Sequence, residues 1–95
     1  MIQMYNRDEV MVYDVVVCPD PNEDTDKLAD KIRHKVNTYI IDKEKDMNND
    51  TVLTIPLASK ETGEDVVEKI LNAGIKRDMY ILKYNLWSDN KWKKQ

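Results

Sequence analysis

Two side chains in this chain could act as a nucleophile and its base: one cysteine, Cys18, and one histidine, His34. A catalytic thiol needs a base within hydrogen-bond reach to take its proton. Cys18 closes an apolar run just before a loop, a position that suits a nucleophile. His34, however, lies about 240° from Leu28 on a wheel of ~100° per residue, which puts it on the solvent side of a helix. The two are not expected to meet, and Cys18 reads as an inert, buried thiol. No Ser-His-Asp set is recognisable. One His and one Cys cannot complete a zinc shell from those two residue types.

Two acidic stretches imitate calcium loops. Asp42, Glu44, Asp46, Asn48 and Asp50 place oxygens at alternate positions, as an EF-hand loop does. Met47 then occupies the sixth position, where glycine makes the turn, and Leu53 the twelfth, where a bidentate Glu closes the shell. The set Asp20, Asn22, Asp24 and Asp26 fails in the same way, with Thr25 at six and Lys31 at twelve. No metal and no other cofactor is expected. Gly63 and Gly74 stand alone, so there is no glycine-rich phosphate loop. Glu64 and Glu68, four residues apart, read as solvated carboxylates on a helix edge.

Charge offers two opposite signals. Lys27, Lys31 and Lys35 share one helix flank, and Lys91, Lys93 and Lys94 surround Trp92 near the end of the chain. Together they are the candidate nucleic-acid contacts. Residues 1–30, by contrast, hold eight acids against two bases, although the whole chain carries a net charge of only −3. Asp20, Glu23, Asp24, Asp26 and Asp30 form a candidate acidic surface that could imitate a row of phosphates. A helix dipole also favours acids at such an N-terminus, with no function implied.

The elements that must position these residues follow from periodicity. Residues 10–18 are rich in valine and read as the clearest strand. Asp24 or Thr25 can cap a helix whose stripe is Leu28, Ile32, Val36 and Tyr39. Residues 42–50 read as polar loop, and 51–58 as a strand with Leu53, Ile55 and Leu57 on one face. Pro56, lacking an N–H, favours an edge there. Thr62 and Asp65 resemble a capping box ahead of a second helix, with Val66, Val67, Ile70 and Leu71 apolar and Gly74 at a left-handed C-cap. Residues 79–87 alternate as a last strand, with Tyr80, Leu82, Tyr84 and Leu86 expected to face inward.

The expected fold is therefore α+β: a two-layer sandwich with two helices on one face of a mixed four-stranded sheet. Its order is ββαβαβ if residues 1–6 supply the first strand, or the ferredoxin-like βαββαβ if residues 38–42 form a strand after the first helix. Residues 1–88 read as a single domain and 89–95 as a basic, flexible tail. Leu, Ile and Val contribute 23 of 95 residues, a share that supports a core. The longest uninterrupted apolar runs, residues 15–18 among them, have four residues, so no membrane span is expected. A lone cysteine and no recognisable signal segment suggest a cytoplasmic protein. Twelve lysines against three arginines, with many Asn and Ile, point to AT-rich codons and a phage or other mobile element as source.

These subtractions leave an apolar outer sheet face. With Tyr13, Val15 and Val17 turned to the helices, Val12 and Val16 face outward, and Met79 and Ile81 are expected beside them as a partner-binding patch. Asp14 would need a partner such as Lys83 or a place at a wet rim. Monomers seldom leave such a patch bare. A homodimer, a foreign protein partner or a third layer is the expected cover. The chain thus reads as a non-enzymatic interaction protein, a regulator or inhibitor of a cellular enzyme; the alternative is a nucleic-acid-binding module.

Overall fold

The computed structural model describes residues 10–37, 40–87 and 91–92. Six elements follow in the order β1 (Met11–Cys18), α1 (Thr25–Val36), β2 (Asp42–Lys45), β3 (Thr51–Leu57), α2 (Lys60–Asn72) and β4 (Asp78–Asn85). This is the βαββαβ order. The sheet runs β2-β3-β1-β4, and every neighbouring pair is antiparallel rather than mixed. Each helical crossover skips one strand position, so parallel strands never become neighbours. The possible strand at residues 1–6 lies outside the described residues.

Local chemistry sets the helix ends. Asp24 caps α1 by accepting from the N–H groups of Asp26 and Lys27 at 3.0 and 3.2 Å, which satisfies first-turn donors. Asn37 ends it with a left-handed backbone, φ 56°. The cap of α2 lies upstream of the expected Thr62: Ser59 Oγ accepts from the Thr62 N–H at 3.2 Å, and the helix begins at Lys60. Gly74 does take the left-handed position, φ 85°. The Ile75 N–H then reaches the Ile70 carbonyl at 3.2 Å and the Gly74 N–H the Leu71 carbonyl at 3.0 Å, a Schellman closure that buries Ile75.

Residues 42–45, expected as loop, form an edge strand with no apolar side chain. Backbone pairing to β3 overrides their composition, and a hairpin turn holds the register. Asp46 accepts from the N–H groups of Asn48 and Asp50, both at 2.9 Å, and Asn49 supplies φ 64°. Because β2 ends opposite Thr54, Pro56 lies beyond its reach. An interior strand can therefore carry a proline where its partner has run out.

Val15 and Val17 face the helices and meet Leu28, Ala29 and Ile32 of α1, Val66 and Ile70 of α2, and Leu53 and Ile55 of β3. Fully burying a side chain of this kind contributes roughly 1.5–3 kcal/mol. The facing of β4 is opposite to expectation. Register sets Ile81 beside Val15 and Met79 beside Val17, and both pack on the helix-side core. Tyr80, Leu82 and Tyr84 consequently share the outer face with Val16, Asp14 and Val12. Both alternating sets of β4 include large apolar residues, so alternation alone does not fix which one turns inward.

Gly63 on α2 makes room for this arrangement: a Cβ there would stand 3.1 Å from Ile81 Cδ1. Gly63→Leu is expected to overpack the site and lower stability by about 1–3 kcal/mol, read from urea unfolding. An unchanged midpoint would mean that Ile81 does not lie against α2.

Candidate functional site

The sheet face turned away from the helices is polar at its centre. Asp14, midway along the interior strand β1, is 0% exposed. A buried carboxylate deprived of a cation costs about 3–5 kcal/mol. That cation arrives from the far end of the chain. After β4, Lys91 lies over this face and its ammonium pairs with Asp14 Oδ2 and with Glu44 Oε2, the latter at 2.6 Å. Only 17% of the Lys91 side chain remains accessible. Trp92 Nε1–H donates to Glu44 Oε1 at 2.9 Å, and the Thr54 hydroxyl donates to Glu44 Oε2. The Tyr84 hydroxyl donates to Asp14 Oδ1 at 3.3 Å, while the Lys91 ammonium sits 5.2 Å from the centre of its ring.

Two carboxyl groups thus share one ammonium. Burial pushes the Glu44 carboxyl up, but hydrogen bonds from Lys91, Thr54 and Trp92 outweigh it and hold the group below its ordinary range. Burial likewise disfavours the charged Lys91, and its bonds to Asp14 and Glu44 more than compensate. The Tyr84 hydroxyl is pushed up by burial and by the charge of Asp14. Charge-assisted bonds of this kind are roughly twice as strong as neutral ones, and here they tie β1 and β2 to the C-terminal segment, with Thr54 of β3 and Tyr84 of β4 bonded into the same cluster.

The structure does not gather the expected partner patch. Val12 and Val16 do lie on the outer face, but Met79 and Ile81 lie on the other. Val16 is fully buried. Asp14 pairs with Lys91 and not with Lys83, whose ammonium stands 5.7 Å from the Tyr13 ring centre.

Nor do the five acids form an uncompensated row. Glu23 takes a two-point bond from Arg77, Nε to Oε1 at 2.8 Å and Nη2 to Oε2 at 2.6 Å, and Asp20 lies 3.4 Å from Arg77 Nε. Asp24 is a helix cap, Asp26 meets Lys43 at 3.3 Å, and Asp30 meets Arg33 at 2.8 Å.

Among the basic residues, Lys27, Lys31 and Lys35 are exposed on α1, whereas Lys91 is engaged on the opposite side of the sheet. Lys93 and Lys94 lie outside the described residues. Sequence reasoning missed Glu44, Thr54 and Tyr84 as members of one cluster. The available signal was Asp14 itself, a carboxylate amid valines that had to find a cation.

Cys18 borders a polar cleft of about 610 Å³ with Asp20, Glu23, Asp46 and Asp50. Burial and the nearby Asp78, Asp46 and Asp50 push its thiol up, which suppresses the reactive thiolate. His34 borders a different cleft, with Asp30, Arg33 and Asn37. Among the described residues no three His, Cys, Asp or Glu side chains are grouped to hold a metal ion, and no helix is long and apolar enough to cross a membrane. The chain matches no known protein-family profile, no curated protein and no solved structure.

Lys91→Met is expected to destabilise the fold by about 3–5 kcal/mol, since it strands the buried Asp14. Asp14→Asn in the same chain should recover part of that loss. A double-mutant cycle with no coupling would show that the two groups do not interact in solution.

The Glu23 carboxyl is held at about 2, below its ordinary 4.5, chiefly by the Arg77 hydrogen bonds. A depressed folded value stabilises above the unfolded value and is lost as pH falls through the folded one. Glu23→Gln should therefore lower the melting temperature at pH 6 and leave the two proteins alike near pH 2. An equal gap at both pH values would remove this pair from the acid response.

Proposed function

We propose that the chain is a small, non-enzymatic protein-interaction module, a regulator or inhibitor that engages a cellular protein along β4. One observation carries this reading. Among the described residues, β4 is an eight-residue edge strand whose outer row is apolar and aromatic: Tyr80, Leu82 and Tyr84, continued by Leu86 just past its end. Tyr80 is 42% and Leu86 49% exposed.

An open edge presents unpaired backbone donors and acceptors, and natural sheets normally blunt it. The other edge, β2, is blunted: four residues, Asp-Lys-Glu-Lys. β4 carries one lysine, Lys83, and no proline. An extended segment of a partner can add to such an edge, its backbone giving affinity and its alternate side chains specificity. Self-association through the outer face loses its rationale, since Lys91 and Trp92 lie over that face. A symmetric pair would instead use the β4 edge.

Affinity capture from the native cell with tagged parent and with Tyr80→Asp and Leu86→Asp, each folded by circular dichroism, tests the reading. Captured partner is expected to fall at least tenfold in either variant. Equal capture by parent and variants would overturn it. The nucleic-acid alternative rests on Lys27, Lys31 and Lys35. It requires RNA or DNA binding that weakens steeply with salt and is lost on reversing those three charges.

A further inference from the structure

We propose that the outer sheet face is a second binding site, for an extended segment of a partner protein in which a lysine or arginine is followed by an aromatic residue. Lys91 and Trp92 of this chain occupy that site in cis. The proposal is independent of β4 edge pairing and rests on the Asp14–Glu44 cluster.

The site has the features of a receptor. Asp14 is fully buried and needs a cation in any folded state, whichever chain provides it. Glu44 offers one oxygen to that cation and the other to an indole N–H. The Tyr84 ring lies 5.2 Å from the ammonium, within the ~6 Å range of a cation–π contact. Lysine followed by tryptophan matches these three features in order.

Charge complementarity also favours a competitor. Among the described residues, two carboxyl groups, Asp14 and Glu44, face the one ammonium of Lys91. An arginine presents five donors in a fork and can bond both carboxylates at once, which a lysine ammonium does as a point charge. The described cis contact is confined to two side chains, Lys91 and Trp92, and an outside segment has to compete with the effective concentration of a tethered one. Closure of the strap therefore lowers the apparent affinity for an outside segment by the fraction of molecules that are open.

The test uses the full chain with Lys91→Ala and Trp92→Ala together, titrated with a peptide of residues 88–95 and followed by backbone amide shifts. Saturable binding is expected, with shifts centred on Asp14, Glu44, Thr54 and Tyr84. The parent should bind the same peptide at least tenfold more weakly, and a peptide carrying Lys91→Glu should not bind. No binding by the folded double variant, or equal binding by the parent, overturns the proposal.

Should the double variant fail to fold, Trp92→Ala alone, which keeps the ammonium on Asp14, takes its place. A gain of about threefold over the parent is then expected, and no gain overturns the proposal. A parent that runs at twice its monomer mass by light scattering, and falls to monomer in the double variant, would show tails exchanged between two copies and would also overturn it.

Discussion

A carboxylate buried in the middle of an interior strand constrains this protein more than any other single feature. Asp14 has no access to water, and a bare charge in such surroundings is worth several kcal/mol against folding. The chain meets the requirement with a residue 77 positions away, Lys91. The contact has long reach. It fixes the C-terminal segment across the sheet, draws Glu44 from the β2 edge into the same cluster, and turns Tyr84 outward so that its hydroxyl serves Asp14. The centre of the sheet face turned away from the helices is thereby covered as well, while Tyr80 on the same face stays 42% exposed. The specificity is geometric: a hydrophobic residue at position 14 would relieve the electrostatic demand but would leave only Glu44 to locate the C-terminal segment.

The rest of the fold is assembled by more ordinary means. Helix caps, a Schellman closure and a hairpin turn with Asn49 in left-handed geometry set the ends of the elements. The core then forms between two helical stripes and one sheet face. Arg77 performs at the β1–α1 loop what Lys91 performs on the sheet, holding Glu23 and Asp20 in place. The acidic first third of the chain is thus largely folded into local structure. Asp20, Glu23, Asp26 and Asp30 each meet a basic side chain, and Asp24 caps α1.

Much of this was legible in the sequence, and the failures have physical causes. The valine-rich strand, both helices, the left-handed Gly74 and the inward set of β3 all follow from patterns that only one arrangement satisfies. β2 was invisible because Asp42–Lys45 has no apolar face; its strand identity comes from β3, through backbone pairing that side-chain pattern does not record. β4 was read in reverse because both of its alternating sets carry large apolar residues, Tyr80, Leu82 and Tyr84 against Met79 and Ile81, and the larger set was placed inside. Gly63, which accommodates Ile81, carried the deciding information from another element. The cluster itself was half visible: Asp14 stood out as awkward, but nothing in the local sequence tied it to Lys91, and a basic terminal stretch resembles a solvated tail whether or not one of its lysines is buried.

The contrast between the two edges of the sheet has a consequence for valence. Growth of a β-sheet into a filament requires that every added unit offer a fresh edge to the next. Here the Asp-Lys-Glu-Lys strand gives the sheet a dead end on one side, so a molecule joined through its opposite side has nothing further to offer. A partner added along β4, as proposed, would therefore meet no second edge of the same kind, and the short charged β2 strand would act as a terminator against sheet growth.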